Sequence, residues 1–401
     1  MRIMYFAFEG FDNPNGTNHL ALKMIDYLLN EGIEVYLLSS HTRGIDPDIP
    51  PLLQSRKGLT FDIVNRSVVD KQNFVMRYLE GIKYALSCMK KWRKQKRTLD
   101  AVILQSTPTA FFSSILMKLF LRKPVIFNSY DVFPNVAYET GALTNNVIYK
   151  VLLAMQKLVY KFSDQIIVIS SDMRHTLMAQ GVEEGKITEI RNWYDQETVH
   201  EVEPESNRFR QKYDIPQDCF WVQYAGNFGF TFDYKYVLDV AERLQDEQHV
   251  RFQMIGDGAF QKEFMSEAKQ RGLENITFFP WQPIDIISDV YSSCDVSLIP
   301  LANGVINNSF PSKGSLLMAC GKVVLCATEE SSDYYRMINE NEVGICVSNK
   351  DANQAADAIR RLFNDKEYHA KLADNAKIFG QKCYSSNYNL PKFLKVLGRY
   401  Q

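Results

Sequence analysis

The sequence predicts an α/β protein built from two doubly wound parallel sheets. Three observations carry this. Short, nearly all-apolar runs alternate with amphipathic helical patterns along the whole chain. Most of those runs end at a glycine or a polar turn, as strands do where a βα unit turns into its helix. The rhythm runs twice through 401 residues, a length too great for one ordinary core and comfortable for two.

In the first half, Arg2 to Phe8 reads as a strand, and the loop Asn13 to Thr17 leads into an amphipathic helix reaching about Asn30. Gly32 caps that helix before a strand at Glu34 to Ser39, and a linker rich in Pro and Gly follows through about residue 60. A long helical stretch near 71–97 places Phe74, Tyr78, Ile82, Leu86 and Met89 on one apolar face. Strands at Ala101 to Gln105 and Val125 to Asn128 flank a helix over 108–121. Helix 144–161, strand Gln165 to Ile169, helix 171–180 and a short strand at Ile187 to Arg191 complete the half. Residues Glu201 to Asn207 are the most polar and least periodic stretch, which sets the boundary between domains 1–200 and 201–384.

In the second half, a strand at Trp221 to Tyr224 ends at Ala225-Gly-Asn-Phe-Gly229, before a helix from about Tyr234 to Leu244. A strand at Arg251 to Ile255 stops at Gly256-Asp-Gly258, before helix 260–271. Further strands are expected at 276–279, 295–299, 322–327 and 343–347, with two more helices after Asp351.

Composition narrows the class. Hydrophobic residues make up 46% and charged residues 23%, the profile of a folded globular chain. Lys plus Arg number 46 against 47 for Asp plus Glu, a balance that argues against a dedicated nucleic-acid binder. Seven cysteines form no Cys-x-x-Cys pair and mostly lie in apolar runs, so they read as reduced thiols of a cytoplasmic protein. Six histidines show no ligand-like spacing, and with neither His-Glu-x-x-His nor a Cys/His cluster no metal is expected. The apolar tract Thr109 to Leu121 is interrupted by Lys118 and too short to span a bilayer.

The most telling segment is Asn308 to Gly321, followed by an apolar strand. It carries Pro311, Ser312 and Lys313 into the first turn of a short helix, where a hydroxyl, a cation and backbone amides suit a phosphate group. A lysine is disfavoured there by the helix dipole, so an anionic partner accounts for its place; otherwise it points to water. Ser312 reads equally as an N-cap. Asn227, Phe228 and Gly229, and likewise Gly256, Asp257 and Gly258, follow strands directly, where glycine admits a close ligand or simply makes a turn. Three such strand ends on one sheet edge favour a nucleotide or sugar nucleotide.

In the first half, Gly16 and its neighbours either cradle an anion or cap a helix. His19 faces a ligand or lies on the surface. Asp131 stands just past a buried strand and either binds or deprotonates an acceptor hydroxyl or makes a local Asx turn. The run Lys90 to Arg97 places six cations around Trp92, which reads as a contact with an anionic membrane surface or as the charged end of a packed helix.

Taken together, these segments resemble the GT-B glycosyltransferases of family 4, and more narrowly the bacterial branch that includes WcaI and WbuB. The resemblance rests on Gly226 to Gly229, Ile255 to Gly258, Phe278 to Pro283, Cys294 to Pro300, Pro311 to Lys313 and Ala319 to Gly321, with Ile190 to Asp195, Asp131 and Pro134 in the first half. It implies two Rossmann-like domains facing across a cleft, the first acceptor-side and the second donor-binding, with residues 385–401 crossing back to the first. It also implies a retaining sugar transfer from a UDP-sugar, an N-acetylated hexosamine or 6-deoxyhexosamine such as N-acetyl-L-fucosamine. The acceptor would be a glycan or a polyprenyl-diphosphate-linked sugar of O-antigen or capsule synthesis, at the inner face of the cell membrane. No cofactor is implied. The diphosphate would lie near Gly16, Asn227 to Gly229 and Ser312-Lys313, and the base near Gly256 to Gly258, Trp281 and Gln282. Asp131 and Lys313 would act in catalysis, with Tyr130 where many members have histidine. The broader family's paired glutamates fall at Asn308 and Leu316, and its phosphate-binding cations at Asn227 and Phe232, with Lys235 nearby. A sugar-nucleotide 2-epimerase and a non-catalytic sugar-nucleotide-binding partner of an assembly complex share the same architecture and stand as the alternatives.

Overall fold

The computed structural model describes residues 1–8, 10–11, 17–42, 50–67, 74–107 and 110–401, with backbone alone at 74, 75 and 77. It divides into two compact units. Unit 1 comprises Met1–Asn135, Thr144–Arg191 and Leu390–Gln401; unit 2 comprises Val136–Leu143 and Asn192–Asn389. The expected boundary after residue 200 therefore lies inside unit 2. Local hydrogen bonding explains why: Tyr194 N donates to Tyr384 O and Ser386 N to Tyr194 O, while Val202 N donates to Ser292 Oγ, so the chain is tied to unit 2 from Tyr194 on, before the polar stretch begins.

Unit 1 opens with β1 (Arg2–Ala7), α1 (Asn18–Asn30), β2 (Glu34–Thr42), β3 (Leu59–Arg66), α2 (Phe74–Gln95) and β4 (Ala101–Gln105). It continues with α3 (Ala110–Leu121) and β5 (Val125–Asn128), leaves for unit 2 at α4 (Asn135–Glu139), and resumes with α5 (Asn146–Phe162), β6 (Gln165–Val168), α6 (Ser171–Ala179) and β7 (Ile187–Glu189). Among the described residues its sheet has seven strands in the order β3-β2-β1-β4-β5-β6-β7, every pairing parallel. Strands β1, β4 and β5 are buried along almost their whole length, which is why their sequences are continuous apolar runs rather than alternating ones.

Two elements depart from expectation. Strand β3 starts at the end of the expected linker and runs through a stretch given no element; it is a sheet edge whose Leu59 to Arg66 alternates poorly and is half-buried to exposed, so periodicity gave no signal. Helix α2 is present, but its buried stripe is Glu80, Gly81, Tyr84, Ala85, Cys88 and Trp92; of the expected face, Tyr78, Ile82 and Met89 are half-buried and Leu86 is exposed. Small residues at 81 and 85 let this stripe approach the sheet, where Trp92 meets Phe6 edge-on at 5.7 Å and Tyr84 Oη donates to Ala7 O at 3.1 Å. Trp92 is thus a core residue rather than a membrane anchor.

Unit 2 comprises α7 (Arg208–Lys212), β8 (Phe220–Asn227), α8 (Tyr234–Arg243), β9 (Val250–Asp257), α9 (Gln261–Gln270), β10 (Ile276–Phe279) and α10 (Ile287–Ser292). Then come β11 (Val296–Pro300), α11 (Lys313–Ala319), β12 (Val323–Thr328), α12 (Asp333–Glu340), β13 (Gly344–Ser348), α13 (Ala352–Asn364) and α14 (Lys366–Tyr384). The last helix, α15 (Ser386–Leu397), begins in unit 2 and ends in unit 1, where Arg399 Nη1 donates to Gln165 Oε1 at 2.7 Å.

The unit 2 sheet has six strands in the order β10-β9-β8-β11-β12-β13, again all parallel. Several of its helices start on side-chain caps that satisfy early amides: Asp233 for α8, Ser332 for α12, Asp351 for α13 and Asp365 for α14. An aromatic cluster of Tyr224, Phe228, Phe232 and Phe264 fills the core under the β8–α8 connection, with Tyr224 and Phe232 centroids 4.2 Å apart.

Candidate functional site

The site in unit 2 is assembled where β8, β9 and β11 reach their C-terminal ends, on either side of the point where the sheet order reverses. Strands β8 and β9 stay paired as far as Gly226 opposite Gly256 and Asn227 opposite Asp257, so these residues are strand ends rather than loop. Glycine is required at both. A Cβ on Gly256 would fall 2.0 Å from Gly226 O, and one on Gly226 would fall 2.1 Å from Lys313 Cε. The φ angles are +136° and +153°, in the region that favours glycine.

Lys313 therefore lies directly over the backbone of Gly226. Its Nζ donates to Tyr224 Oη at 2.8 Å and sits 4.2 Å from the centre of the same ring. The side chain is half-buried, and burial pushes its ammonium down to about 8. Tyr224 is buried, which raises the pKa of its own hydroxyl, and that hydroxyl donates to Asn227 O at 2.9 Å. One phenol thus joins the strand end to the cation. The sequence pointed to Lys313 but not to Tyr224, 89 residues away.

Other expected residues fare unevenly. The side chain of Asn227 is folded over Gly229 and Gly258, so the ends of β8 and β9 are interlocked. Phe228 is buried, and its amide donates to Asp257 O at 2.9 Å, so the phosphate-cradling amide expected there is already engaged. The same holds at the start of α11, where Gly314 N donates to Pro311 O at 3.0 Å. Ser312 is exposed and its side chain makes no capping bond, which leaves the hydroxyl facing solvent beside Lys313. Phe232 belongs to the aromatic core, which explains why no cation stands there, and Lys235 is exposed in the first turn of α8. After β10, Trp281 is 64% exposed, whereas Gln282 is buried, its amide donating to Tyr213 Oη and Pro280 O and accepting from Lys212 Nζ. Of the pair read as base contacts, Trp281 is the one open to a ligand.

A latch unseen in the sequence holds the loop that precedes Lys313. Gly304 N donates to Glu329 Oε1, Thr328 Oγ1 donates to Glu329 Oε2, and Asn308 Nδ2 donates to Gly304 O at 2.9 Å. Glu329 follows β12, 25 residues beyond Gly304, so no local pattern announces it. Asn308 Oδ1 is buried with no hydrogen-bond partner among the described residues.

In unit 1, Asp131 is exposed three residues beyond β5, and its carbonyl accepts from Ser129 Oγ at 3.0 Å. Tyr130 is buried beneath it, its hydroxyl accepting from Asn128 Nδ2 and its amide donating to Ser106 Oγ. Tyr130 therefore supports the turn instead of presenting a titratable group where histidine would stand. His19 is exposed at the second position of α1, and Gly16 lies outside the described residues. Among the described residues no three His, Cys, Asp or Glu side chains converge to hold a metal, and no helix is long and apolar enough to cross a membrane.

Comparison with known proteins adds the following. Residues 14–198 match the family model Glycosyltransferase Family 4, and residues 205–379 match Glycosyl transferases group 1. WbjE of Pseudomonas aeruginosa, described as a probable glycosyltransferase, is 24% identical over 339 residues, 83% of this chain and 82% of its own length. WcaI of Escherichia coli K12, described as a colanic acid biosynthesis glycosyl transferase, is 24% identical over 200 residues, 49% of each chain. Among solved structures, Anabaena HepE in complex with UDP superposes with a TM-score of 0.76 at 15% identity, covering 100% of both chains.

Proposed function

This chain belongs to the family 4 glycosyltransferases of GT-B fold, and from that premise we propose that it is a retaining enzyme moving an N-acetylated hexosamine or 6-deoxyhexosamine from UDP to a lipid-linked glycan acceptor. The observation that carries the donor half of this reading is the Lys313 ammonium, laid over Gly226 at the C-terminal edge of a parallel sheet and held by Tyr224. HepE, solved with UDP, shares the fold and supports a uridine diphosphate donor.

In the proposed reaction the acceptor hydroxyl oxygen bonds to the anomeric carbon on the face that the diphosphate leaves. The bond between that carbon and the phosphate oxygen breaks, and the acceptor proton passes to a phosphate oxygen, so UDP departs and configuration is retained. No enzymic nucleophile is needed. Lys313 stabilises the charge growing on the leaving oxygen, in a half-buried position where one such contact is worth most. The exposed Ser312 hydroxyl binds the same diphosphate, and Trp281 offers a face to the uracil. Asp131, exposed at the ligand edge of unit 1, orients the acceptor hydroxyl.

A panel of sugar nucleotides assayed against a lipid-linked N-acetylhexosamine, with the product linkage read by NMR, tests the reading. An α-linked product from an α-configured donor supports it. A new epimer formed from donor alone identifies a 2-epimerase instead, and tight donor binding with no UDP released under any acceptor identifies a non-catalytic binder.

A further inference from the structure

Arg66 ends β3, paired with Thr42 at the C-terminal end of β2, and its side chain runs back over β2 toward β1. There its guanidinium stands 4.9 Å from the centre of the Phe8 ring, and its Nε donates to Ser40 Oγ at 3.1 Å. Both supports are themselves fixed. Phe8 is buried and meets Tyr84 edge-on at 5.3 Å, and the buried Ser40 hydroxyl donates to Phe8 O at 2.6 Å. With its proton so engaged, the Ser40 oxygen is left as an acceptor for Arg66, and ring and hydroxyl together set the plane of the guanidinium.

What this plane lacks is a counter-charge. Among the described residues Arg66 donates through Nε only, so Nη1 and Nη2 make neither a hydrogen bond nor an ion pair. The carboxylates that β3 and α2 carry are engaged elsewhere, Asp62 with Tyr36 and Lys91, and Glu80 with Ser67 N. Arg66 is nevertheless half-buried, whereas an ordinary surface arginine keeps its head group in water. A guanidinium held partly out of water is costly unless an anion completes it. Its open fork of N–H groups matches the paired oxygens of a phosphate or a carboxylate.

Position in the sheet says which molecule brings that anion. Phe8, Ser40 and Arg66 lie at the C-terminal ends of β1, β2 and β3, on the rim where Asp131 emerges after β5. In the order β3-β2-β1-β4-β5 the ends of β1 and β5 are two strand spacings apart, about 10 Å. A pyranose spans a similar distance from a ring hydroxyl to the far phosphate of a diphosphate on its anomeric carbon. We propose that Arg66, braced by Phe8 and Ser40, binds an oxyanion carried by the acceptor, a phosphate of its lipid linkage or a carboxylate of its sugars. The spacing favours the phosphate. Anchored there, the acceptor presents its hydroxyl to Asp131, so Arg66 selects charged acceptors over neutral ones. This inference rests on the assignment of unit 1 to the acceptor made above.

Calorimetric titration of the full chain, saturated with UDP to keep probes out of the donor site, tests it. The probes are N-acetylglucosaminyl methyl diphosphate, methyl glucuronide and the uncharged methyl N-acetylglucosaminide. At least one anionic probe is expected to bind about 30-fold more tightly than the neutral one, the size of a charge-assisted bidentate pair. Arg66→Gln should abolish that margin and leave affinity for UDP and for the neutral glycoside unchanged. Arg66→Lys should keep only part of it, since the charge remains and the fork is lost. A margin with the diphosphate locates the anion at the lipid linkage; one with the glucuronide alone locates it on the sugar chain. Equal binding of charged and neutral probes, no binding of either anion, or a margin that survives Arg66→Gln would overturn the proposal. Transfer assays keep the two readings apart. Absence of transfer to any acceptor counts against the transferase, whereas transfer to charged and neutral acceptors that Arg66→Gln leaves unaltered counts against the anion site alone.

Discussion

Lys313 is where one side chain bears on the most chemistry. Lys313→Ala should keep the fold, because Tyr224 and the glycine pair remain packed, and should lower turnover by about 10²-fold or more, the size of one transition-state contact. Circular dichroism with single-turnover kinetics checks both halves, and unchanged turnover would remove Lys313 from the mechanism. Its acidity gives a second test. With the free ammonium near 8, donor binding involves no proton exchange at Lys313 well below that pH, where the group is charged in both states. Above about 8 the free amine is neutral, a bound diphosphate restores its charge, and binding takes up a proton. Affinity for UDP should therefore fall as pH rises past 8, by up to about tenfold per unit, and Lys313→Arg should flatten that dependence. Calorimetry in buffers of different ionisation heat reads the uptake directly. At this scale the sequence was legible wherever chemistry is local: Pro311, Ser312 and Lys313 stand together, and the glycines adjoin their strands. Tyr224 and Glu329 were not legible, since each acts on a residue far along the chain that only the sheet brings near.

Among the elements, the strongly apolar strands were readable and the amphipathic ones less so. Strands β1, β4, β5 and β12 are buried throughout or nearly so, and a run of large aliphatics admits few other readings. Strand β3 is a half-buried to exposed edge and left no such trace. Helix α2 was found but rotated, because Leu86 and Met89 outweigh Gly81 and Ala85 in any hydrophobic pattern although the small residues are what permit contact with the sheet. The corrected phase has a measurable consequence. Trp92→Ala should destabilise the protein by about 3–5 kcal/mol, as loss of a buried tryptophan does. Leu86→Ala, on the exposed side, should change stability by no more than about 0.5 kcal/mol. Urea unfolding followed by far-UV circular dichroism compares them, and equal losses would restore the original face. Similarly, β8 and β9 run to Asn227 and Asp257, further than their apolar cores suggest, because facing glycines let the backbones stay paired past the last large side chain.

For the molecule as a whole, two sheets of parallel strands were predictable from the doubled rhythm, whereas the excursion of residues 136–143 was not. Residues 136–143 belong to unit 2 although the sequence around them builds unit 1, and nothing in their composition marks the excursion. The return is similarly decisive for stability. Leu390, Phe393, Val396 and Leu397 are all buried, so deleting 390–401 strips apolar cover from unit 1 and should lower its stability by several kcal/mol, at roughly 1.5–3 kcal/mol per side chain. Differential scanning calorimetry with and without UDP should then show an early transition for unit 1 and a later one that UDP moves upward. A single unshifted transition would contradict this. The same path dictates an order of events at the ribosome. The unit whose strands emerge first must wait for residues 390–401, which are translated after every residue of the second unit. The first unit to be made is thus the last to be finished.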